Sequence, residues 1–397
     1  MPRVDGVGNG EKKRQLTNHH FAICIYNFQF AMSSIASTLQ HPSPPRRWLF
    51  SAPVDLGVFL GSAIAAFLAL WIGAQAGVLH DRTPEWTWIP AVLLIDVAHV
   101  WGTGFRVYFD TDEVRRRPWL YTLVPAIGLV ISIALYAAGG ELVFWRALAY
   151  LAVFHFVRQQ YGWVMLYRAR VGERARFGYW LDTTTIYLAT LYPLLYWHAH
   201  LPRQFSWFIE GDFAVLPALA FLERVVQPLY WTALLLYLAH SIYRWWRRNK
   251  ANPGKDIVVI TTALCWYTGI IAFNSDYAFT VTNVIIHGIP YLALIYWYAR
   301  SHRSQANQAY RFLTSSLLPF LATLWLIAYV EELFWDRGVW HERSWLFGAG
   351  TDLGMLKIVI VPLLAVPQLT HYALDGFIWR RQSNPGFSLI PPHTETD

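Results

Sequence analysis

Four histidines lie inside long apolar runs of the sequence, one in each of four different runs: His99, His155, His287 and His371. A polar side chain in the middle of a membrane-spanning helix is costly, because the lipid offers it no hydrogen-bond partner. An imidazole placed there either hydrogen-bonds to a neighbouring helix or binds a metal ion. The four residues therefore predict a polar site in the interior of a membrane protein.

Each histidine has polar neighbours three or four residues away, and this spacing places side chains on one face of a helix. Carboxylate neighbours at such positions orient imidazole rings that bind a metal. Among them, Arg158 is expected to pair with Asp96 or Asp375, because an unpaired guanidinium at that depth is hard to accommodate. The neighbours are Asp96 and Thr103 for His99, Arg158 and Gln159 for His155, Asn283 for His287, and Asp375 for His371.

The types of these residues predict the chemistry of the site. Four imidazoles without a thiolate suit iron, zinc or copper, and they argue against a structural zinc site made of cysteines. We therefore expect His99, His155, His287 and His371 to be metal ligands, and Asp96, Arg158, Asp375 and Tyr291 to be catalytic. Arg158 or Tyr291 would orient the substrate, and in a zinc enzyme Asp96 or Asp375 would act as general base.

The surroundings of the site limit its substrates. Short loops give a buried site access mainly to molecules dissolved in the membrane, such as lipids, quinones and isoprenoids, and the sequence has neither a phosphate-binding glycine loop nor a serine-elbow motif. We expect a non-haem iron oxidoreductase that acts on an apolar small molecule and contacts membrane lipids. Two alternatives stay open: a zinc-dependent membrane hydrolase, and a proton-coupled carrier or scaffold in which these residues are relay or interhelical contacts. A haem held by two histidines is disfavoured, because each run has only one.

One short string is similar to part of a known family. The residues from His371 to Asp375, read as His-Tyr-Ala-Leu-Asp, are loosely similar to a His-Gly-Ala-Leu-Asp element of the membrane carotene dioxygenases, which are four-histidine iron proteins. The similarity covers five residues, so no residue role is transferred from that family. It implies only that a four-histidine iron site in a membrane protein has a precedent.

The elements that must position these residues are membrane-spanning helices. Of the 397 residues, 55% are apolar and only 14% are charged, whereas soluble domains have roughly 25% charged residues. The apolar residues form runs long enough to span a bilayer. We predict an all-α bundle of about ten helices: 53–76, 86–107, 119–138, 141–167, 179–199, 217–243, 256–273, 278–299, 311–332 and 353–379. At about 1.5 Å per residue, the four histidines lie roughly 10 to 20 Å from the inner ends of their helices, so bends near Pro362 and Pro367 could bring them together.

The basic residues predict the topology. Nineteen Arg and Lys residues fall in one set of alternating loops, and only Arg82, Arg203, Arg337 and Arg343 fall in the other set. This asymmetry predicts cytoplasmic N- and C-termini and a location in the inner membrane of the cell. The net charge of +7 is thus explained without a nucleic-acid partner. The outer loops are expected to be acidic, with Glu210, Asp212, Glu331, Glu332 and Asp336.

The two ends of the sequence differ from the bundle at 48–381. Residues 1–47 are expected to be a mobile cytoplasmic segment, in which the apolar run from Phe21 to Met32 is too short to span. Residues 382–397 are expected to be disordered. The only cysteines, Cys24 and Cys265, are too few for a disulfide framework and are interpreted as structural.

Overall fold

The computed structural model describes residues 47–79, 83–247, 251–303 and 306–380. The secondary structure of these residues consists of helices, with no strands. Shorter helices at Thr111–Arg116, Gln308–Leu313 and Ser344–Phe347 connect the long ones. The predictions for residues 1–46 and 382–397 lie outside the described residues. The long helices are α1 (Ala52–Gln75), α2 (Glu85–Arg106), α3 (Pro118–Val171), α4 (Arg176–Ala199), α5 (Leu219–Trp246), α6 (Pro253–Ala272), α7 (Asp276–His302), α8 (Leu317–Trp340) and α9 (Gly354–Ile378).

Eight of these helices are long and apolar enough to cross a membrane, and α4 is the long helix that is not among them. The chain is thus a multi-pass membrane protein, as the sequence predicts, but the structure does not establish the predicted number of ten. The third and fourth predicted spans lie within α3, and the fifth corresponds to α4. The ninth begins at Leu317 rather than at 311 and continues to Trp340 rather than stopping at 332.

Helix α3 folds back on itself at Gly140. This glycine has φ 76° and ψ −178°, a conformation that interrupts the helix and that side chains with a Cβ rarely adopt. The rings of Tyr136 and Phe144, on either side of it, lie 5.6 Å apart between centroids. Eight residues of uninterrupted helix would separate them by about 12 Å along the axis. The two halves of α3 therefore run in opposite directions and form a helical hairpin.

Side-chain caps set where several helices begin. Ser51 accepts a hydrogen bond from the backbone N–H of Val54 at the start of α1, and Ser275 accepts one from Ala278 at the start of α7. Asn252 does the same for Lys255 in α6, just before a proline at the first helical position. These groups satisfy backbone donors that the first helical turn leaves unpaired. Their positions explain why the apolar runs become helices with these boundaries.

Helix α7 lies at the centre of the bundle. In an apolar 18-residue stretch of α7, 89% is buried, whereas the buried share of the corresponding stretch in the other seven candidate spans is between 17% and 61%. A glycine in α7 lets α2 approach closely. A Cβ at Gly288 would lie only 2.5 Å from a methyl group of Ile95 in α2. α7 therefore fixes the spacing of the helices that surround it.

A network of buried ion pairs ties α3, α4, α5 and α6 together near the α3–α4 turn. The Lys255 ammonium is fully buried and lies 2.6 Å from both Glu173 and Asp182. Three cations and three carboxylates take part, so the network is balanced in charge: Arg168, Arg244 and Lys255 with Glu173, Asp182 and Asp256. The three cations were counted among the inner-loop charges from sequence, but in the structure they are structural ion-pair partners.

Three residues assigned to the acidic outer loops lie in a helix instead. Glu331, Glu332 and Asp336 belong to α8 and are 5%, 9% and 1% exposed. Glu331 accepts hydrogen bonds from the indole N–H groups of Trp101, at 2.6 Å, and Trp335, at 3.2 Å. The carboxylate is buried because two indoles satisfy it, which the apolar pattern of the sequence does not indicate.

Candidate metal centre

The structure brings the four predicted histidines together in one buried cluster. His99 comes from α2, His155 from the second half of α3, His287 from α7 and His371 from α9. All four are at most 4% exposed. One ring nitrogen from each lies within 4.8 Å of the others, and their Nε2 atoms form two close pairs: His287 with His99 at 3.1 Å and His371 with His155 at 3.0 Å.

These distances fit a metal ion between the rings. An ion about 2.0 to 2.1 Å from each imidazole nitrogen would hold neighbouring ligands about 2.9 to 3.4 Å apart, depending on the coordination geometry. The two close pairs already have this separation, and the remaining separations, up to 4.8 Å, need only a small contraction. The site therefore fits a single ion in size and in ligand type.

Two segments of unusual helical winding lie just before two of the histidines. The backbone is π-helical from Trp88 to Val97, ahead of His99, and from Thr280 to Val284, ahead of His287. A π-helix has one more residue per hydrogen-bonded turn than an α-helix, so it rotates the side chains that follow it, and such segments are frequent at functional sites. The described chain has three further π-helical segments that do not precede a histidine of the cluster, so the winding by itself does not identify the site.

A directional chain of hydrogen bonds orients His371. Its Nδ1 lies 2.8 Å from the hydroxyl of Thr103, which lies 3.2 Å from the hydroxyl of Tyr291, which donates to Asp375 at 2.7 Å. An ionised carboxylate only accepts hydrogen bonds. With Asp375 ionised, Tyr291 donates to it and receives its own hydrogen bond from Thr103, which in turn receives one from His371. In that arrangement His371 carries its proton on Nδ1, and its Nε2 lone pair faces the cluster.

Carboxylates lie behind two of the other rings as well. His155 Nδ1 is 3.7 Å from Asp375, and His99 Nδ1 is 3.5 Å from Asp96. At these distances the contacts are electrostatic rather than hydrogen bonds, and His99 Nδ1 has no hydrogen-bond partner. A proton on each Nδ1 would face the carboxylate and leave Nε2 as a lone-pair donor toward the centre. At 3.0 Å, two facing lone pairs on His371 and His155 would repel each other, and a cation between them removes the repulsion.

His287 is held in a different way. Its ring stacks on Phe156 with centroids 3.5 Å apart, and the amide of Gln159 donates to its backbone carbonyl at 2.8 Å. Asn283, the expected neighbour, donates to the backbone carbonyl of Phe279 instead. His287 Nδ1 has no hydrogen-bond partner in the structure, so packing rather than a carboxylate orients this ring.

Arg158 does not belong to the site, which corrects the prediction from sequence. Its guanidinium is exposed and donates to the hydroxyl of Tyr187 in α4, and it lies over the ring of Tyr161 at 4.9 Å. The expected pairing with Asp96 or Asp375 is not formed. A residue three positions after His155 is rotated about 60° from it around the helix, whereas Gln159, four positions after, is rotated only about 40° the other way. In α3 that difference directs Gln159 inward and Arg158 outward.

Tyr291 is close to the cluster, but its hydroxyl is already engaged. Its ring lies 5.0 Å from that of His371 and 5.7 Å from that of His99 between centroids. Since the hydroxyl donates to Asp375 and lies against Thr103, it supports the histidines rather than facing open space. Trp379 also donates to Asp375, at 3.2 Å; it is not among the residues predicted for the site from the sequence, although it lies four residues after Asp375, on the same helical face.

This arrangement can hold one metal ion through four nitrogen ligands, with Asp96, Asp375 and Thr103 fixing the rings from outside. Asp96 is the more accessible carboxylate, with 32% of its side chain exposed against 12% for Asp375. Comparisons with protein-family models, with curated proteins and with solved structures give no match to this chain. The four buried histidines within apolar helices are thus compatible with a membrane metal protein, and the chemistry of the cluster itself has to indicate the function.

Proposed function

We propose that the four histidines bind one divalent metal ion and that the protein is a membrane oxidoreductase that uses non-haem iron. The observation that carries this proposal is the meeting of four Nε2 atoms from four helices, two pairs of which lie 3.1 and 3.0 Å apart. Imidazole ligands without thiolate suit iron, zinc or copper. The carboxylates behind His99 and His155, and Thr103 behind His371, are placed to support metal binding over simple helix contacts.

The number of ligands favours iron over zinc. A catalytic zinc ion keeps three protein ligands and one open position, whereas four protein ligands around a tetrahedral zinc ion are typical of closed structural sites. Iron accepts six ligands, so four histidines leave two positions for oxygen or substrate. A zinc-dependent hydrolase with Asp96 or Asp375 as general base is therefore the less favoured enzyme.

When bound, iron would supply oxygen binding and one-electron chemistry next to the histidines. The protein's own residues would keep the ligands in place: Thr103 and Asp375 would hold His371 and His155 in the tautomer that binds metal. Asp96 would do the same for His99. Because a third of the Asp96 side chain is exposed, this side of the cluster is where a substrate would approach.

The proposed substrate is an apolar molecule dissolved in the membrane, such as a lipid, a quinone or an isoprenoid. The cluster lies within helices that have the length and composition of membrane spans, so a substrate that partitions into lipid reaches it without leaving the bilayer. We further propose ten passes, counting both halves of α3 and also α4, with both ends of the chain on the cytoplasmic side of the inner membrane. The hairpin at Gly140 and the asymmetric basic loops support this topology.

A proton-coupled carrier or scaffold is the competing function, and one contact favours it. Since His287 Nδ1 has no partner, His287 can carry its proton on Nε2 and donate it to His99 without any metal. For His155 and His371 a metal-free hydrogen bond needs a proton on one Nε2. On His371 this requires Thr103 to donate to Nδ1, and on His155 it leaves a lone pair on Nδ1 facing the Asp375 carboxylate.

Metal analysis of the purified protein tests the proposal. We expect about one iron ion per chain after expression with iron and gentle purification, and a loss of most of it in each of His99→Ala, His155→Ala, His287→Ala and His371→Ala. The matched control is His200→Ala, because His200 is an exposed histidine with a local contact to the Tyr196 carbonyl. A folded wild-type protein that neither contains nor takes up iron would overturn the proposal in favour of the carrier or scaffold.

A further inference from the structure

A row of aromatic side chains connects the histidine cluster with one end of the bundle. The row runs, in order, through the rings of His371, Tyr291, Trp379, Tyr298 and His302. The distances between successive ring centroids are 5.0, 6.2, 6.2 and 4.0 Å. His302 ends α7 and is partly exposed. The row therefore connects a fully buried site with the surface, and no two successive ring centroids in it are more than 6.2 Å apart.

The three redox-capable rings in this row share a second feature. Tyr291 donates its phenolic hydrogen to Asp375 at 2.7 Å, Trp379 donates its indole hydrogen to the same carboxylate at 3.2 Å, and Tyr298 donates to Asp110 at 3.2 Å. Removing an electron from a phenol makes it a strong acid, so oxidation becomes easier when an acceptor for the proton is in hydrogen-bond contact. Ordinary core packing of aromatic rings does not need a carboxylate at each one.

We infer that Tyr291, Trp379 and Tyr298 form an electron-transfer route between the metal site and the surface around His302. The inference rests on the proposed function, because it assigns the route by which a redox ion in that site exchanges electrons with a one-electron carrier outside the membrane. The four histidines are buried, so a protein-sized carrier cannot reach them directly and would need a route of this kind.

The transfer balances as a one-electron exchange. Each electron that leaves a bound ferrous ion raises its charge by one, passes through the three rings in turn, and reduces the acceptor at the surface by one unit; the reverse direction reduces a ferric ion. While Tyr291 or Tyr298 is transiently oxidised, its proton rests on Asp375 or Asp110, and it returns when the ring is reduced again. No ring is changed at the end of the transfer.

A surface photo-oxidant tests the route in the full-length protein. A ruthenium polypyridyl label is attached to Arg300→Cys, in a Cys24→Ser background, because Arg300 is exposed next to this end of the row and Cys265 is fully buried. Flash oxidation of the label is followed by transient absorption and by electron paramagnetic resonance, with the protein in nanodiscs and its iron content measured separately. Oxidation of bound ferrous iron should follow the flash, with a short-lived tyrosyl or tryptophanyl signal.

Variants separate the route from general packing. Measured per bound iron ion, the rate of iron oxidation should fall by an order of magnitude or more in Trp379→Phe and in Tyr298→Phe, and Trp379→Tyr should restore it. The matched control is Trp245→Phe, because Trp245 also donates its indole hydrogen to a carboxylate, that of Asp256 at 2.9 Å, but lies outside the row. Equal rates in all of these variants would overturn the inference.

The metal-free protein keeps this test separate from the proposed function. Without iron, flash oxidation should leave the electron hole on the tyrosines of the row, detected as a tyrosyl radical whose Tyr291 component is lost in Tyr291→Phe and in Trp379→Phe. If the protein binds no iron but still gives this radical, the proposed function fails and the route stands. If it binds iron and gives no radical or iron oxidation through the row, the route fails and the proposed function stands.

Discussion

The Nε2 atoms of His371 and His155 lie 3.0 Å apart, although 216 positions separate the two residues in the sequence. His371 also contacts Thr103 through its other ring nitrogen, so this one side chain joins α9 to both α3 and α2. The spacing of the metal ligands is therefore set by helix packing. Substitutions that move these helices slightly should change metal affinity before they unfold the bundle.

Asp375→Asn tests how the rings are oriented. Asparagine has the same size but directs N–H groups toward the protonated Nδ1 of His155 or toward Tyr291, so a favourable contact becomes a repulsive one. We expect metal affinity to fall by about 10- to 100-fold, the usual effect of losing such an orienting carboxylate. Competition with a chelator of known affinity measures the change. Asp352→Asn, at a side chain that is 81% exposed, is the control, and an equal effect in both variants would contradict the assignment of Asp375.

Gly288→Ala tests the α2–α7 spacing. The added methyl group would lie 2.5 Å from the side chain of Ile95 and 3.3 Å from its backbone oxygen, so the two helices must move apart. His287 is the preceding residue, so its distance to His99 must change too. We expect weaker metal binding and a destabilisation of about 1 to 3 kcal/mol, measured by metal titration and by thermal unfolding. Gly162→Ala, where nothing lies within 4 Å of the new Cβ, should leave both unchanged or slightly improve stability.

Lys255→Met tests the buried ion-pair network. The substitution removes the ammonium that lies 2.6 Å from both Glu173 and Asp182, and it leaves carboxylate charge uncompensated in a buried site. We expect the free energy of unfolding to fall by about 3 to 5 kcal/mol, measured by unfolding in detergent. Lys357→Met is the control, because Lys357 lies 3.8 Å from a mostly exposed Asp352, and such a surface pair contributes only about 0 to 1 kcal/mol. Similar losses in the two variants would argue against the importance of the network.

Glu173, in the turn between α3 and α4, predicts a pH dependence of stability. Burial raises the pKa of Glu173, but Lys255, Arg244 and Asn252 outweigh that effect and bring the pKa below its ordinary value of 4.5. A carboxylate with a lowered pKa in the folded state stabilises the fold above its unfolded pKa and loses that contribution as the pH falls. Stability should therefore drop as the pH falls below 4.5. Thermal unfolding across this range should show a smaller drop in Glu173→Gln, and an identical pH profile in the two proteins would rule out this contribution.

The four-histidine cluster is predictable from the sequence because a polar side chain inside an apolar run needs a buried partner or a bound ion. Helical spacing also places Asp96 beside His99 correctly. The same reasoning is wrong for Arg158, since a rotation of a few tens of degrees, set by the packing of α3 against α4, decides which neighbour faces inward. A spacing rule has too little angular resolution for that decision.

Contacts between helices could not be predicted from the sequence. Thr103 lies on the same helix as His99 but hydrogen-bonds to His371, and Glu331 is buried because Trp101 on another helix donates to it. Both depend on which helices are neighbours, and this information is spread over the whole bundle. The hairpin at Gly140 is different, since a glycine pair interrupting an apolar stretch is visible in the sequence and separates the third and fourth predicted spans there.

The order of the histidines along the chain has a consequence for biosynthesis. His371 lies on α9, the last long helix of the described chain, so during synthesis the fourth ligand arrives only after α1 to α8 have been made. The preceding helices must therefore find their neighbours through close glycine contacts, buried ion pairs and hydrogen bonds such as those of Glu331. Binding of an ion would then be the final step of maturation, and cells starved of that ion should accumulate an inserted apoprotein rather than degraded fragments.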